Sequence, residues 1–189
     1  MIPIVLCSIV GLALILDRFN TYRKLQLEGF ELGGPVRQAL GRGDVAAAIG
    51  HLDGDKSAGG RILSETLGRF HEGTGSIQSS FGLAAGELIR KMEVSLKGLA
   101  TVAALAPLLG LLGTVIGMIR AFMVIEGQGS NVSPALLAGG IWEALLTTAA
   151  GLTVAIPCLM FHNLFQGRIE RVEGELNRMA TELEDAARS

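Results

Sequence analysis

The charged residues divide the chain into three apolar stretches and two mixed ones. Gly98 to Ile119 lies between Lys97 and Arg120 without a single charge. As a helix its roughly 22 residues would span about 33 Å, enough to cross a hydrocarbon core of about 30 Å. From Ser133 to Phe165 the only acid, base or imidazole groups are Glu143 and His162. A helix of about 33 residues would measure near 50 Å, so this second span is expected to protrude on its C-terminal side. Met1 to Leu16 is apolar without a break. It fits a third, short span or the end of a longer helix. A signal peptide is not expected, because no Lys or Arg precedes Asp17 to make a basic n-region.

The expected organisation is therefore a first transmembrane helix over 1–16 and a helical domain over 17–95. A second transmembrane helix over 96–123, a short loop over 124–132, a third transmembrane helix over 133–165 and a C-terminal helix over 166–189 complete it. Arg18, Arg23 and Lys24 follow the first span, and Arg168, Arg171 and Arg178 follow the last. The excess of basic residues at both flanks places them in the cytoplasm. The loop has no Lys or Arg and belongs outside, which puts the N-terminus out and the C-terminus in. Arg120, about a turn from that loop, is expected to snorkel to the interface.

In the cytoplasmic part the apolar positions recur at helical spacing, and no segment alternates with period two long enough to argue a strand. Breaks fall at Gly33-Gly34-Pro35, Gly41, Asp53-Gly54-Asp55 and Gly73-Thr74-Gly75. Asp44 is placed to cap a helix turning Val45, Ala48, Ile49 and Leu52 inward. Ser57 to Phe70 carries Ile62, Leu63, Thr66, Leu67 and Phe70 on one face. Ser76 is placed to cap a third helix, with Glu87, Arg90, Lys91 and Glu93 on its watery part, that runs directly into the second span. Beyond the last span Ile169, Val172, Leu176, Met179 and Leu183 form a stripe that needs a partner face.

Composition agrees with this pattern. Hydrophobic residues make up 49% and charged residues 18%, below the ordinary share of about 25%. Sixteen basic and eighteen acidic residues, without a basic run, offer no electrostatic footprint for nucleic acid. Cys7 and Cys158 lack the spacing of a zinc or redox site. No cofactor or metal is expected. No nucleophile and base pair suggests an enzyme, and His51 and His71 read as solvated or capping residues. With 26 glycines the chain suits close helix packing in lipid.

The polar groups inside the spans carry the candidate chemistry. Gly110, Gly113 and Gly117 leave one stripe of the second span without side chains, beside Pro107 and Thr114; Gly151 and Pro157 lie in the third span. These residues fit helix packing, and Pro157 frees a backbone carbonyl. An ionisable side chain in a span costs roughly 2.5 to 3.5 kcal/mol, so Glu143 needs either a cavity or ion pathway, or a structural partner. At about 100° per residue Thr147 lies roughly 40° from Glu143 and Thr148 roughly 140° away. The chain holds no Asp in its spans and cannot complete a proton pathway alone. Either it transports nothing, or a second polypeptide supplies the titrating group.

Leu99-Ala100-Thr101, then Ala106 through Val115, Gly140-Ile141, Glu143-Ala144-Leu145, Thr148-Ala149, Gly151-Leu152, Ala155-Ile156-Pro157 and Asn163 together resemble the signature of the MotA/TolQ/ExbB family of ion-channel motor subunits. Three spans and a short outer loop are more similar to ExbB and TolQ than to MotA. Trp142 and Arg120 depart from the family pattern. The resemblance implies an all-α membrane protein of the bacterial inner membrane, with three transmembrane helices and long cytoplasmic extensions. It implies a homopentameric ring around two copies of an ExbD/TolR-like single-span protein that supplies a pore Asp, with a TonB/TolA-like protein and lipids as further partners. It also places Thr114 and Thr148 in the pore and Glu143 in a ring nearer the periplasm; helix geometry groups Thr147 with Glu143 as a second candidate. The expected function is a stator subunit that uses proton or sodium motive force to drive its partner in outer-membrane transport or envelope processes. The rival expectation is a structural oligomeric scaffold that conducts no ions.

Overall fold

The computed structural model describes residues 1–25, 27, 29–128 and 134–188. Among these residues there are seven α-helices and no strand: α1 (Ile2–Lys24), α2 (Gly34–Gly41), α3 (Val45–Leu52), α4 (Ala58–His71), α5 (Ile77–Glu93), α6 (Leu96–Gln128) and α7 (Pro134–Arg188). Three helical stretches are long and apolar enough to cross a membrane, within Ile2–Lys24, Ile77–Gly127 and Ala138–Ala187. The chain divides into two compact units. Met1–Asp17 with Ser95–Phe165 makes the first, and Arg18–Val94 with Gln166–Ser189 makes the second.

The first unit is a set of apolar helices whose large side chains stay exposed, among them Leu108, Leu111, Leu145, Ile156 and, at 69% exposure, Trp142. That surface suits lipid or a second copy rather than water. Its helices approach through small residues. A Cβ added at Gly11 of α1 would lie 2.7 Å from Cys158 Sγ, and one at Gly98 of α6 would lie 3.2 Å from a Leu14 methyl. Both α6 and α7 run through their internal prolines, Pro107 and Pro157.

The second unit is built by local signals. Asp44 caps α3 by accepting the Ala47 N–H at 2.9 Å, Ser57 caps α4 by accepting the Gly60 N–H at 3.0 Å, and Ser76 caps α5 by accepting the Ser79 N–H at 3.1 Å. Gly54 and Gly73 take φ of 88° and 70° after α3 and α4, where a side chain would be strained. Helix α2 packs on α3, α3 on α4 and α4 on α5. Ile62, Leu63, Thr66 and Leu67 are buried as the spacing requires, while Phe70, expected with them, is exposed at the helix end. The stripe Ile169, Val172, Leu176, Met179 and Leu183 of α7 is buried throughout, so its partner face lies within the chain. An ion pair of 2.7 Å joins Arg37 of α2 to Glu182 of α7.

Three boundaries differ from the sequence reading. Helix α1 continues past Leu16 to Lys24, because nothing after the apolar run breaks its hydrogen-bond ladder. Val124 to Gln128, expected in the loop, form the last turn of α6; the rest of that loop, like Ser133, falls outside the described residues. Finally, the expected continuous helix from Ser76 into the second span is two helices. Val94 keeps right-handed dihedrals (φ −45°, ψ −44°), yet α5 ends at Glu93 and α6 starts at Leu96. Side chains occupy both sides of that break: Ser95 Oγ donates to Asp17 at 3.3 Å, and Arg18 reaches back to α5.

Candidate functional site

Helices α6 and α7 pack antiparallel along a ladder of small residues. A Cβ at Gly151 would lie 2.5 Å from the Ala106 carbonyl oxygen and 3.1 Å from Gly110 Cα. One at Gly110 would lie 2.9 Å from the Thr147 carbonyl oxygen and 3.0 Å from Thr148 Cα. One at Gly113 would overlap the Thr147 side chain, one at Gly117 would lie 2.8 Å from Ala144 Cβ, and one at Gly140 would lie 2.7 Å from Ala121 Cβ. The register thus climbs α6 as it descends α7, and backbone meets backbone. Gly110, Gly113, Gly117 and Gly151 make these approaches inside one chain. Ala121, Gly140 and Ala144 join the ladder, which their spacing of three and four residues in sequence would have indicated.

The threonines differ in what their hydroxyls do. Thr101, Thr114, Thr147 and Thr153 each donate to a carbonyl one turn back, at 2.8, 2.6, 2.7 and 2.8 Å. That is ordinary for a hydroxyl in an apolar helix. Thr147, at 8% exposure, also reaches the Gly110 carbonyl of α6 at 3.2 Å and ties the two helices together. Thr148 Oγ1 is buried but has no hydrogen-bond partner among the described residues. An unsatisfied buried hydroxyl costs about 1 to 3 kcal/mol and calls for an explanation.

A cavity of about 490 Å³ opens along one side of the α6–α7 pair, closed in part by Met1 and by Pro3 and Ile4 of α1. Leu109, Leu112, Ile116, Val124 and Ile125 give it apolar walls, and Arg120, Glu143 and Thr147 are among its lining residues. Thr114 and Thr148 are not among its lining residues. The structure therefore brings Glu143 and Thr147 together, as the 40° separation requires, and leaves Thr114 and Thr148 apart from them. Arg120 is the residue that sequence reasoning set aside as interfacial. It stands eight residues before Gln128, about 12 Å along α6, because that helix continues through the segment expected as loop. Arg120 and Glu143 both fall between the Gly117–Ala144 and Ala121–Gly140 contacts, within about a turn of each other along the pair.

Residues 56–178 match the model of the MotA/TolQ/ExbB proton channel family, a range that contains every candidate residue. Biopolymer transport protein ExbB of Salmonella typhimurium is 30% identical over 196 residues, covering 97% of this chain and 78% of its own length. An ExbB-like 1 biopolymer transport protein of Synechocystis sp. is 35% identical over 167 residues, 85% of this chain and 64% of its own length. Tol-Pal system protein TolQ of Haemophilus influenzae is 37% identical over 103 residues, 54% of this chain and 45% of its own length. The chain thus spans less than two-thirds of the cyanobacterial and Haemophilus relatives.

Proposed function

The chain belongs to the MotA/TolQ/ExbB proton channel family, and on that premise we propose that it is the channel-forming subunit of an inner-membrane stator. Several copies, five by analogy with the family, enclose a lumen, with α1 and α7 directing the N-terminus to the periplasm and the C-terminus to the cytoplasm. A single-span ExbD/TolR-like partner inside the lumen supplies the Asp that these spans lack. Protons, or sodium ions, neutralise that carboxylate in passing, and the partner shifts relative to the ring. Each charge brings about 2.3 kcal/mol per 100 mV. The output is work on outer-membrane transport or the envelope, with a TonB/TolA-like protein as a further partner.

The observation that carries this reading is the free hydroxyl of Thr148. A threonine both donates and accepts without holding charge, which suits a site where a carboxylate must load and unload. Thr114 joins it by the family pattern, and Glu143 and Thr147 stand on the cavity side. The rival reading, a scaffold held by small-residue stripes, loses its main support because α6 and α7 use those stripes on each other.

The test is ion flux through the chain co-reconstituted with its single-span partner in vesicles under an imposed gradient. Thr148→Val, nearly isosteric, is expected to lower flux at least about tenfold with assembly intact, whereas Thr148→Ser retains most of it. Wild-type flux in Thr148→Val and Thr114→Ala would remove both from the pathway and favour the scaffold.

A further inference from the structure

Beyond the last span α7 belongs to the second unit, and there its charges are sorted by side. At about 100° per residue the buried stripe Ile169, Val172, Leu176, Met179 and Leu183 centres on one direction. From that centre Glu173, Glu184 and Glu170 lie about 80°, 100° and 140° round one way. Arg168, Arg171 and Arg178 lie about 60°, 120° and 140° round the other. The helix therefore has an acidic edge and a basic edge, with its own core behind it. Two acids share the basic side: Glu182 is held by Arg37 at 2.7 Å, and Glu175, about 80° round, is half-buried. Asp185 lies nearly opposite the core, on neither edge. Glu170, Arg171, Glu173 and Arg178 are exposed, and among the described residues no ion pair engages them. Glu170 accepts a hydrogen bond of 3.4 Å from Gln166, one turn back.

The two edges also match in height. At a rise of about 1.5 Å per residue, Arg171 stands between Glu170 and Glu173, about 1.5 Å from one and 3 Å from the other, and Arg178 stands between Glu173 and Glu184. Rotation about a ring axis keeps each residue of a helix that runs along the axis at its own height. One edge of each copy then meets the other edge of the next. Such a head-to-tail contact needs opposite charges at matching heights on two edges of one surface, as α7 has. A foreign acidic or basic partner would suit one edge and be repelled by the other. Two copies joined through the same edge would set like charge against like.

We propose that the α7 tails of neighbouring copies lie edge to edge, with Arg171 of one copy between Glu170 and Glu173 of the next. The proposal rests on the ring proposed above and adds what fixes the order of its members. Exposed ion pairs contribute little affinity, whereas like charges across a contact are penalised. The edges therefore select the neighbour and its height, and the exposed apolar surface of the first unit supplies the cohesion.

Sedimentation velocity of the purified full chain in detergent tests this, over a range of concentrations at about 0.1 M and about 1 M salt, where charges are screened over about 10 Å and 3 Å. Arg171→Glu with Arg178→Glu is expected to raise the concentration for half assembly at least about tenfold at low salt and much less at high salt. Glu170→Lys with Glu173→Lys is expected to act alike. All four substitutions in one chain exchange the edges and are expected to restore assembly to within about threefold of wild type. Circular dichroism checks helix content; should one pair of substitutions fail there, the other pair and the fourfold exchange decide. Wild-type assembly that both pairs leave intact, or a loss that the fourfold exchange does not restore, would overturn the proposal and leave the ring standing. A wild-type chain that stays monomeric at every concentration would overturn both.

Discussion

Two adjacent threonines in α7 have opposite standing. Thr147 is committed twice, to Ala144 and across to Gly110, while Thr148 Oγ1 is buried without a partner. Thr147→Val is therefore expected to lower stability by about 0.6 to 1.7 kcal/mol, the range of interhelical hydrogen bonds in membranes, with flux retained. Thr148→Val is expected to leave stability unchanged or raise it, since it removes an unsatisfied polar atom, while flux falls. Thermal unfolding in detergent beside vesicle flux distinguishes the pair; the same sign of effect in both would undo the assignment. In the second unit, Arg18, at 6% exposure, donates to the carbonyls of Lys91 at 2.8 Å and Met92 at 3.3 Å, and Tyr22 Oη donates to Met92 at 3.2 Å. These are last-turn carbonyls of α5, which a helix cannot satisfy itself. Arg18→Met is expected to cost about 1 to 3 kcal/mol and Tyr22→Phe about 1 kcal/mol, read from thermal unfolding. A melting profile unmoved by Arg18→Met would mean those carbonyls have other partners.

Among the elements, α6 and α7 depend on the absence of side chains at chosen points. Gly110→Ala and Gly151→Ala push a methyl against backbone, which has little room to give, and are expected to destabilise by about 1 to 3 kcal/mol. Gly139→Ala, with nothing within 4 Å, is expected to be neutral or stabilising by up to about 1 kcal/mol through helix propensity. If all three behaved alike in thermal unfolding, the helices would not be in backbone contact at Gly110 and Gly151. The apolar runs and the caps Asp44, Ser57 and Ser76 were legible in sequence because each rests on residues three or four apart. The break at Val94–Ser95 was not, since neither residue is Gly or Pro and Val94 keeps helical dihedrals. Glu126 and Gly127 read as loop for their polarity, yet a helix end needs only its own backbone bonds to continue through them. The cavity was equally hidden: helix angles paired Glu143 with Thr147, but Arg120 enters only through the register of α6 on α7.

The whole molecule consists of a unit whose apolar surface remains open and a unit with a closed core. Ile169, Met179 and Leu183 are buried to within 1% in the second, so α7 finds its partner face inside the chain. Trp142 at 69% and Ile156 at 65% stay exposed in the first, which leaves lipid and neighbouring copies to cover them. The central claim concerns that second kind of cover. On the proposed reading, copies of the first unit enclose an axis that Thr148 faces. The most direct measurement is the structure of the chain with its single-span partner, determined by electron cryo-microscopy in a lipid nanodisc. The account predicts a closed ring with Thr114 and Thr148 on the lumen and Thr148 Oγ1 within hydrogen-bond reach, about 3 Å, of the partner's carboxylate or of a water bound to it. Thr148 turned outward against acyl chains, or copies that enclose no axis, would contradict it.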